Sequence, residues 1–111
     1  MIASVDITGI KYDVTKKTET YVHEKIGKLD LYIPLAARAS MAADVKLKEI
    51  NEHHGNKYEA EVIIQVPNKV ITAKDSTMNM LAVIDIVEAK LIAQLRKYKD
   101  SLVERKVETR A

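Results

Sequence analysis

Between residues 40 and 74 the chain alternates apolar and polar side chains in three consecutive runs, and this period of two dictates most of what it can become. In SMAADVKLKEI, residues 40–50, Met41, Ala43, Val45 and Leu47 fall on one side and Asp44, Lys46 and Lys48 on the other. In YEAEVIIQV, residues 58–66, Tyr58, Ala60, Val62, Ile64 and Val66 share a face. Pro67 and Asn68 make a tight turn, and residues 69–74 form a further strand. Three such runs read as an antiparallel meander with one buried face. A shorter alternation at 3–9, with Ala3, Val5 and Ile7 on one side, supplies a fourth strand.

One apolar sheet face needs cover, and two helical stripes provide it. The first helix is expected over 16–32, capped by Thr15 and ended by Pro34, with Gly27 an unfavourable interior residue. Its Thr18, Val22, Ile26 and Leu29 fall within an arc of about 80°. The second is expected over 77–102, with Ser76 or Asp75 as cap. Its Met80, Ile84, Val87, Leu91, Leu95 and Tyr98 occupy an arc of the same width, about 80°. The order β-α-β-β-β-α implies an α+β two-layer sandwich: two helices side by side on one face of a four-stranded sheet. Residues 1–102 form this domain, and 103–111 a polar tail that extends the helix or frays.

The core that results is aliphatic, because the chain has no Phe and no Trp. No cysteine is present, which excludes disulfides, thiolate chemistry and thiolate zinc sites. No apolar run nears the ~20 residues of a membrane span. The first ten residues carry neither a basic nor an apolar signal region, so the expected location is cytoplasmic.

Catalytic patterns are absent. Three glycines cannot build a glycine-rich phosphate loop, and there is no HExxH, GxSxG or EF-hand loop. His53 and His54 beside Glu52 are the one group of metal-ligand types, but adjacent residues on a polar loop rarely converge on one ion. His23 reads as a surface histidine, since no nucleophile or carboxylate partner is identifiable. Glu59 and Glu61 lie opposite the core residues of their strand and make the open sheet face acidic. That argues against RNA on the sheet, as does the lack of outward strand aromatics. Neither a catalytic residue, a cofactor, a metal nor a small-molecule substrate is expected.

Charge points to the helices instead. The net charge is only +2, so any nucleic-acid surface must concentrate its cations. Lys17, Lys25 and Lys28 lie away from the core stripe of the first helix, with Lys16 in its first turn. On the second helix Lys90 and Lys97 share one flank, while Arg96 and Lys99 take the other side. Helices packed side by side would carry these residues around a shared groove, where each pairing with a phosphate releases counterions. Exposed lysines on helices are also ordinary, and Glu24, Asp85 and Glu88 dilute the field.

Two sequence patterns add a specific resemblance. V-T-x(5)-Y-V-x(2)-K-I-G-K-L-D-x-Y, from Val14 to Tyr32, is similar to the first helix of ribosome hibernation promoting factors and the related ribosome-associated inhibitor, protein Y. D-I-T-G-I at 6–10 matches the opening strand, and M-x-A-x-I-D at Met80–Asp85 with K-L-x-x-Q-L-x-K-x-K at Lys90–Lys99 matches the last helix. Order and spacing agree over residues 2–100. The resemblance implies a β-α-β-β-β-α domain that binds the 30S subunit, alone or in the 70S ribosome, near the decoding centre. Basic helix residues would contact 16S rRNA there, blocking translation and preserving idle ribosomes under stress or in stationary phase. By position, Lys25, Lys28, Lys90, Lys97 and Lys99 carry over as RNA-binding residues. Arg96 is a local addition, and Lys16 and Lys17 are the additional candidates. This chain departs from the family pattern at Ala93 and Ser101, where basic residues are usual, at Asn79 and Leu81, where Asp and Tyr are usual, and at Leu31, where some members are basic or polar. The longer form of the family carries a second domain that dimerises ribosomes; the sequence ends at Ala111 without it, so the expectation is a short-form member or the first part of a longer one.

Three rivals remain at this level. The first is a structured-RNA-binding module that is not ribosomal, such as a double-stranded-RNA binder, which shares the helix-and-meander plan, but whose last helix starts with a K-K-x-A-K pattern where this one starts STMNML. A protein-interaction modulator is the second, as members of this family were once described as modulators of a sigma factor. A small enzyme is the third, without any convergent polar constellation to support it.

Overall fold

The alternating runs become β2 (Ala42–Glu49), β3 (Tyr58–Val66) and β4 (Lys69–Thr77), paired antiparallel in that order. They are described here in a computed structural model covering residues 1–50 and 56–110, the side chains of 103–110 excepted. Pro67 and Asn68 turn β3 into β4, with Asn68 at φ 65°, a left-handed conformation that asparagine tolerates. The first strand, β1 (Ser4–Ile10), adds to the other side of β2 in parallel, giving the order β1-β2-β3-β4. A parallel neighbour requires a crossover. Here it is α1 (Lys16–Lys25), a six-residue 3-10 turn (Gly27–Tyr32) and the short α2 (Leu35–Arg38).

This crossover corrects the expected single helix over 16–32. The α-helical bonding stops at Lys25, and the Gly27 carbonyl accepts the Ile2 amide from outside the helix at 2.8 Å. Glycine contributes little to helix stability, so the chain tightens into the 3-10 turn at that point. Pro34 does end the segment, but it also starts α2, as its N-cap. At the other end of the crossover, Gly9 is required by space: a Cβ there would lie 2.1 Å from the Tyr12 carbonyl oxygen.

The last helix, α3 (Met80–Arg110), starts three residues later than expected, because β4 runs on through Asp75 and Ser76 to Thr77. Its cap is Asn79, whose Oδ1 accepts from the Leu81 and Ala82 amides at 2.9 and 3.2 Å. Asparagine caps as well as the aspartate usual in the family pattern. Thr15 caps α1 through the Thr18 amide as expected. The two predicted stripes are buried in full, from Thr18 to Leu29 and from Met80 to Tyr98, against Met41, Ala43, Val45, Leu47, Ala60, Val62 and Ile64. Each large aliphatic residue sealed this way contributes about 1.5–3 kcal/mol. The helices thus lie on one face of the sheet, as the α+β sandwich requires. Ala3 is the exception in the first strand: it is exposed, and Ile2 is buried instead.

Candidate nucleic-acid interface

Because both helices begin at the same end of the sheet, α1 and α3 run parallel and meet along a seam. Residue pairs advance together along it: Tyr21 with Asp85, Lys25 with Asp85 and Glu88, Tyr32 with Arg96. The Tyr21 phenol donates to Asp85 Oδ1 at 2.5 Å. That bond, aided by partial burial and by the charges of Asp85, Glu88 and Glu24, pushes the phenol pKa up to about 12. The Lys25 ammonium lies 3.7 Å from Asp85 and 4.0 Å from Glu88, and 5.6 Å from the centre of the Tyr21 ring. Two carboxylates and a π-face fix its position and take up part of its charge.

Further along, the seam opens into a recess of about 380 Å³ lined by Glu24, Lys25, Lys28, Leu31, Tyr32 and Glu88. Lys28 is exposed on its rim. The Arg96 guanidinium approaches from α3 and sits 5.7 Å from the centre of the Tyr32 ring. Among the described residues neither Lys28 nor Arg96 is within ion-pairing distance of a carboxylate. Lys99 lies eleven residues after Glu88, on the same flank by helical phase, and is exposed.

The opposite flank of α3 faces the edge of β4. There Lys90 pairs with Asp75 at 2.8 Å and donates to the Lys74 carbonyl at 3.3 Å. Gln94 donates to the Thr72 carbonyl at 2.7 Å, and the Tyr98 hydroxyl to that of Pro67 at 2.9 Å. The Lys90 ammonium and the Ser76 amide hold the Asp75 carboxyl below its ordinary value. These contacts close an edge that would otherwise offer free carbonyls to another strand. Lys97 follows Lys90 on this flank, exposed and without an ion pair among the described residues.

The predicted basic residues therefore do not share one groove. Lys25, Lys28, Arg96 and Lys99 gather on the seam side, Lys90 and Lys97 lie across α3, and Lys16 and Lys17 stand exposed at the start of α1. The open sheet face is not uniformly acidic: Asp6 and Asp44 are neighbours in register, but the two glutamates lie among lysines. The register sets Glu61 between Lys46 and Lys74, and Glu59 beside Lys48, with Lys74 and Glu59 3.8 Å apart. Sequence reasoning counted Asp85 and Glu88 as diluents and missed that they grip Lys25. The signal was present in their spacing of three on α3, set against Tyr21 and Lys25, four apart on α1. His23 lies 4.0 Å from Glu19, on the surface of α1. His53 and His54 fall outside the described residues. Among those described, no three His, Asp or Glu side chains gather to hold a metal ion, and no helix is long and apolar enough to cross a membrane.

Comparison with known proteins decides what this domain is. Residues 5–103 match the family model for Sigma 54 modulation protein / S30EA ribosomal protein. The chain belongs to that family. Its relatives include the ribosome hibernation promotion factor of Lactococcus lactis subsp. cremoris, 37% identical over 85% of this chain and 48% of that protein. Another is the ribosome hibernation promotion factor of Deinococcus radiodurans, 31% identical over 94% of this chain and 53% of that one. The chain spans about half the length of these curated relatives. The crystal structure of the Thermus thermophilus protein Y N-terminal domain superposes with a TM-score of 0.71 at 22% identity, over 84% of this chain and 94% of that one. The S30EA family fold is thus the β-α-β-β-β-α sandwich found here.

Proposed function

We propose that this S30EA family member is a ribosome hibernation factor that binds the 30S subunit near its decoding centre, alone or in the 70S ribosome. It blocks translation and preserves idle ribosomes under stress or in stationary phase. It acts in the cytoplasm by binding and performs no catalysis. The observation that carries this reading is the family match across residues 5–103. The seam supplies a means. Lys28 and Arg96 carry full, exposed charges and would reach phosphates of 16S rRNA first. Lys25 is held in place by Asp85 and Glu88, so it enters a phosphate contact already oriented but must exchange carboxylate for phosphate. Lys99 and Lys97 extend the field, with Lys16 and Lys17 at the far end of α1. Lys90 is committed to Asp75, so its expected contribution to RNA binding is smaller.

Cosedimentation with purified 30S and 70S particles tests the proposal. Binding is expected at moderate salt, and it should weaken steeply as salt rises. Four phosphate contacts would give a slope of log affinity against log salt of roughly −3. A chain that stays in the supernatant, or binds with a flat salt dependence, overturns the reading.

A further inference from the structure

The seam continues past Tyr21 to the end of the molecule where both helices start, and ends in a second recess of about 390 Å³ lined by Tyr12, Lys17, Tyr58, Met78 and Leu81, among others. We propose that this recess takes an unpaired RNA base, placing a nucleotide-binding subsite at the end of the seam. The inference rests on the ribosomal reading for the source of the RNA, but on this chain's own residues for the subsite.

Four features support it. Tyr12 and Tyr58 form an edge-to-face pair with ring centres 5.8 Å apart and planes at 78°. Both are only partly buried, although in a chain without Phe or Trp a tyrosine ring is the largest apolar group available to the core. Tyr12 is held by a 2.9 Å hydrogen bond between its hydroxyl and the Thr18 hydroxyl, which orients its ring against Tyr58. Second, Met78 is 71% exposed at the mouth of the recess. A thioether beside aromatic rings makes a soft, polarisable wall of the kind that packs on a flat π-system. Third, the surroundings suit the anionic backbone that follows a base. Lys17 lines the recess and the positive ends of α1 and α3 converge there, while the Lys57 ammonium, 5.5 Å from the Tyr58 ring centre, is shared with Glu49 at 3.8 Å and adds less. Fourth, the recess continues the proposed interface. Lys17 and Tyr21 are one helical turn apart on α1, as are Leu81 and Asp85 on α3. An RNA strand laid along the seam over Arg96, Lys28 and Lys25 would arrive at this site. Aromatic rings take any base, because every base has a π-face.

The test uses the full chain and two readouts. In the first, r(A)6 is titrated into the protein and followed by NMR, with inorganic pyrophosphate as an anionic control that has no base. The Tyr12 and Tyr58 ring signals and the Met78 methyl are expected to shift with the oligonucleotide and not with pyrophosphate. Equal shifts with both, or with neither, overturn the base-binding subsite. In the second, binding to 30S subunits is measured for Tyr58→Leu, Tyr58→Phe and Met78→Ala. Tyr58→Leu is expected to weaken binding about tenfold, Met78→Ala by a smaller factor, and Tyr58→Phe hardly at all. Met78 is exposed, so its substitution reports on binding even if Tyr58→Leu folds poorly. Wild-type binding with Met78→Ala and Tyr58→Leu unchanged sinks the subsite and leaves the ribosomal reading standing. If the wild type itself fails to bind subunits, that reading falls, and the oligonucleotide titration decides the subsite alone.

Discussion

On the flank of α3 that faces β4, Lys90 reaches down to Asp75 and the Lys74 carbonyl, and Gln94 and Tyr98 bond the same edge. On the flank that faces α1, Lys25 stands over Tyr21 between two carboxylates, and Lys28 and Arg96 point outward beside Tyr32. Both flanks carry cations at helical spacing, and a sequence pattern gives them equal weight. The difference lies in what sits opposite. A strand edge offers carbonyls that a lysine can satisfy permanently, which makes Lys90 part of the fold. A second helix offers side chains only, so its cations stay available, or are held loosely enough to be exchanged. Position on a charged face is therefore weaker evidence for RNA contact than the absence of a backbone partner.

The largest expected effect separates the two flanks directly. Lys28→Glu combined with Arg96→Glu places two negative charges on the seam and is expected to weaken 30S binding by about 100-fold at moderate salt, with little change in melting temperature. Lys97→Glu with Lys90→Gln is expected to weaken binding by about fivefold or less. Equal losses from the two pairs, measured by cosedimentation, would erase the distinction and restore a single basic surface.

The elements that a reader of the sequence recovers are those set by local patterns. Strand alternation at 40–74 and the two apolar stripes depend only on residues close in the chain, and both survive in the fold. The Thr15 cap was legible for the same reason. What was not legible depends on distant partners. The break of the first helix after Lys25 was signalled only by Gly27, and the Ile2 amide that bonds the Gly27 carbonyl lies 25 residues away in the chain. The start of α3 depended on how far β4 could pair along β3, which extends to Tyr58 opposite Thr77. Which charges neighbour one another on the open sheet face depended on register, which sets Lys46, Lys48 and Lys74 beside Glu59 and Glu61 but Asp6 beside Asp44. At the candidate interface the residue types were legible, but their division between the flanks of α3 follows from which side the strands occupy.

Next in size is the helix that carries both flanks. Asn79→Ala removes the acceptor for the Leu81 and Ala82 amides and is expected to cost about 1 kcal/mol in urea unfolding. A null result would mean that the first turn of α3 is held by packing of Met80 and Val83 alone. The Lys90 strap is worth less. Its partner Asp75 has a carboxyl held below the ordinary 3.8, so the stabilisation is present above that value and is lost as pH falls through the lowered one. Both groups are partly exposed, so Lys90→Met is expected to cost only about 0.5 kcal/mol at neutral pH. The loss should vanish in acid, where Asp75 is protonated in wild type too. A pH-independent loss would show that Lys90 acts through the Lys74 carbonyl and not through the ion pair.

The smallest effect probes the other flank. Tyr21 donates its proton to Asp85, so the neutral phenol is the favoured form and its folded pKa is raised from 10.0 to about 12. The sign follows: this stabilisation is complete below pH 10 and is lost as pH rises through 12. Asp85→Asn removes the leading cause, and the ultraviolet titration of the folded chain should show one tyrosine ionising earlier than in wild type. The same substitution frees Lys25 from one of its two carboxylates. If those carboxylates mainly neutralise Lys25, Asp85→Asn should bind 30S subunits about twofold more tightly. If they mainly aim it, binding should weaken although the net charge has become more positive. The direction of that small change separates a seam that stores its cations in place from one that merely shields them.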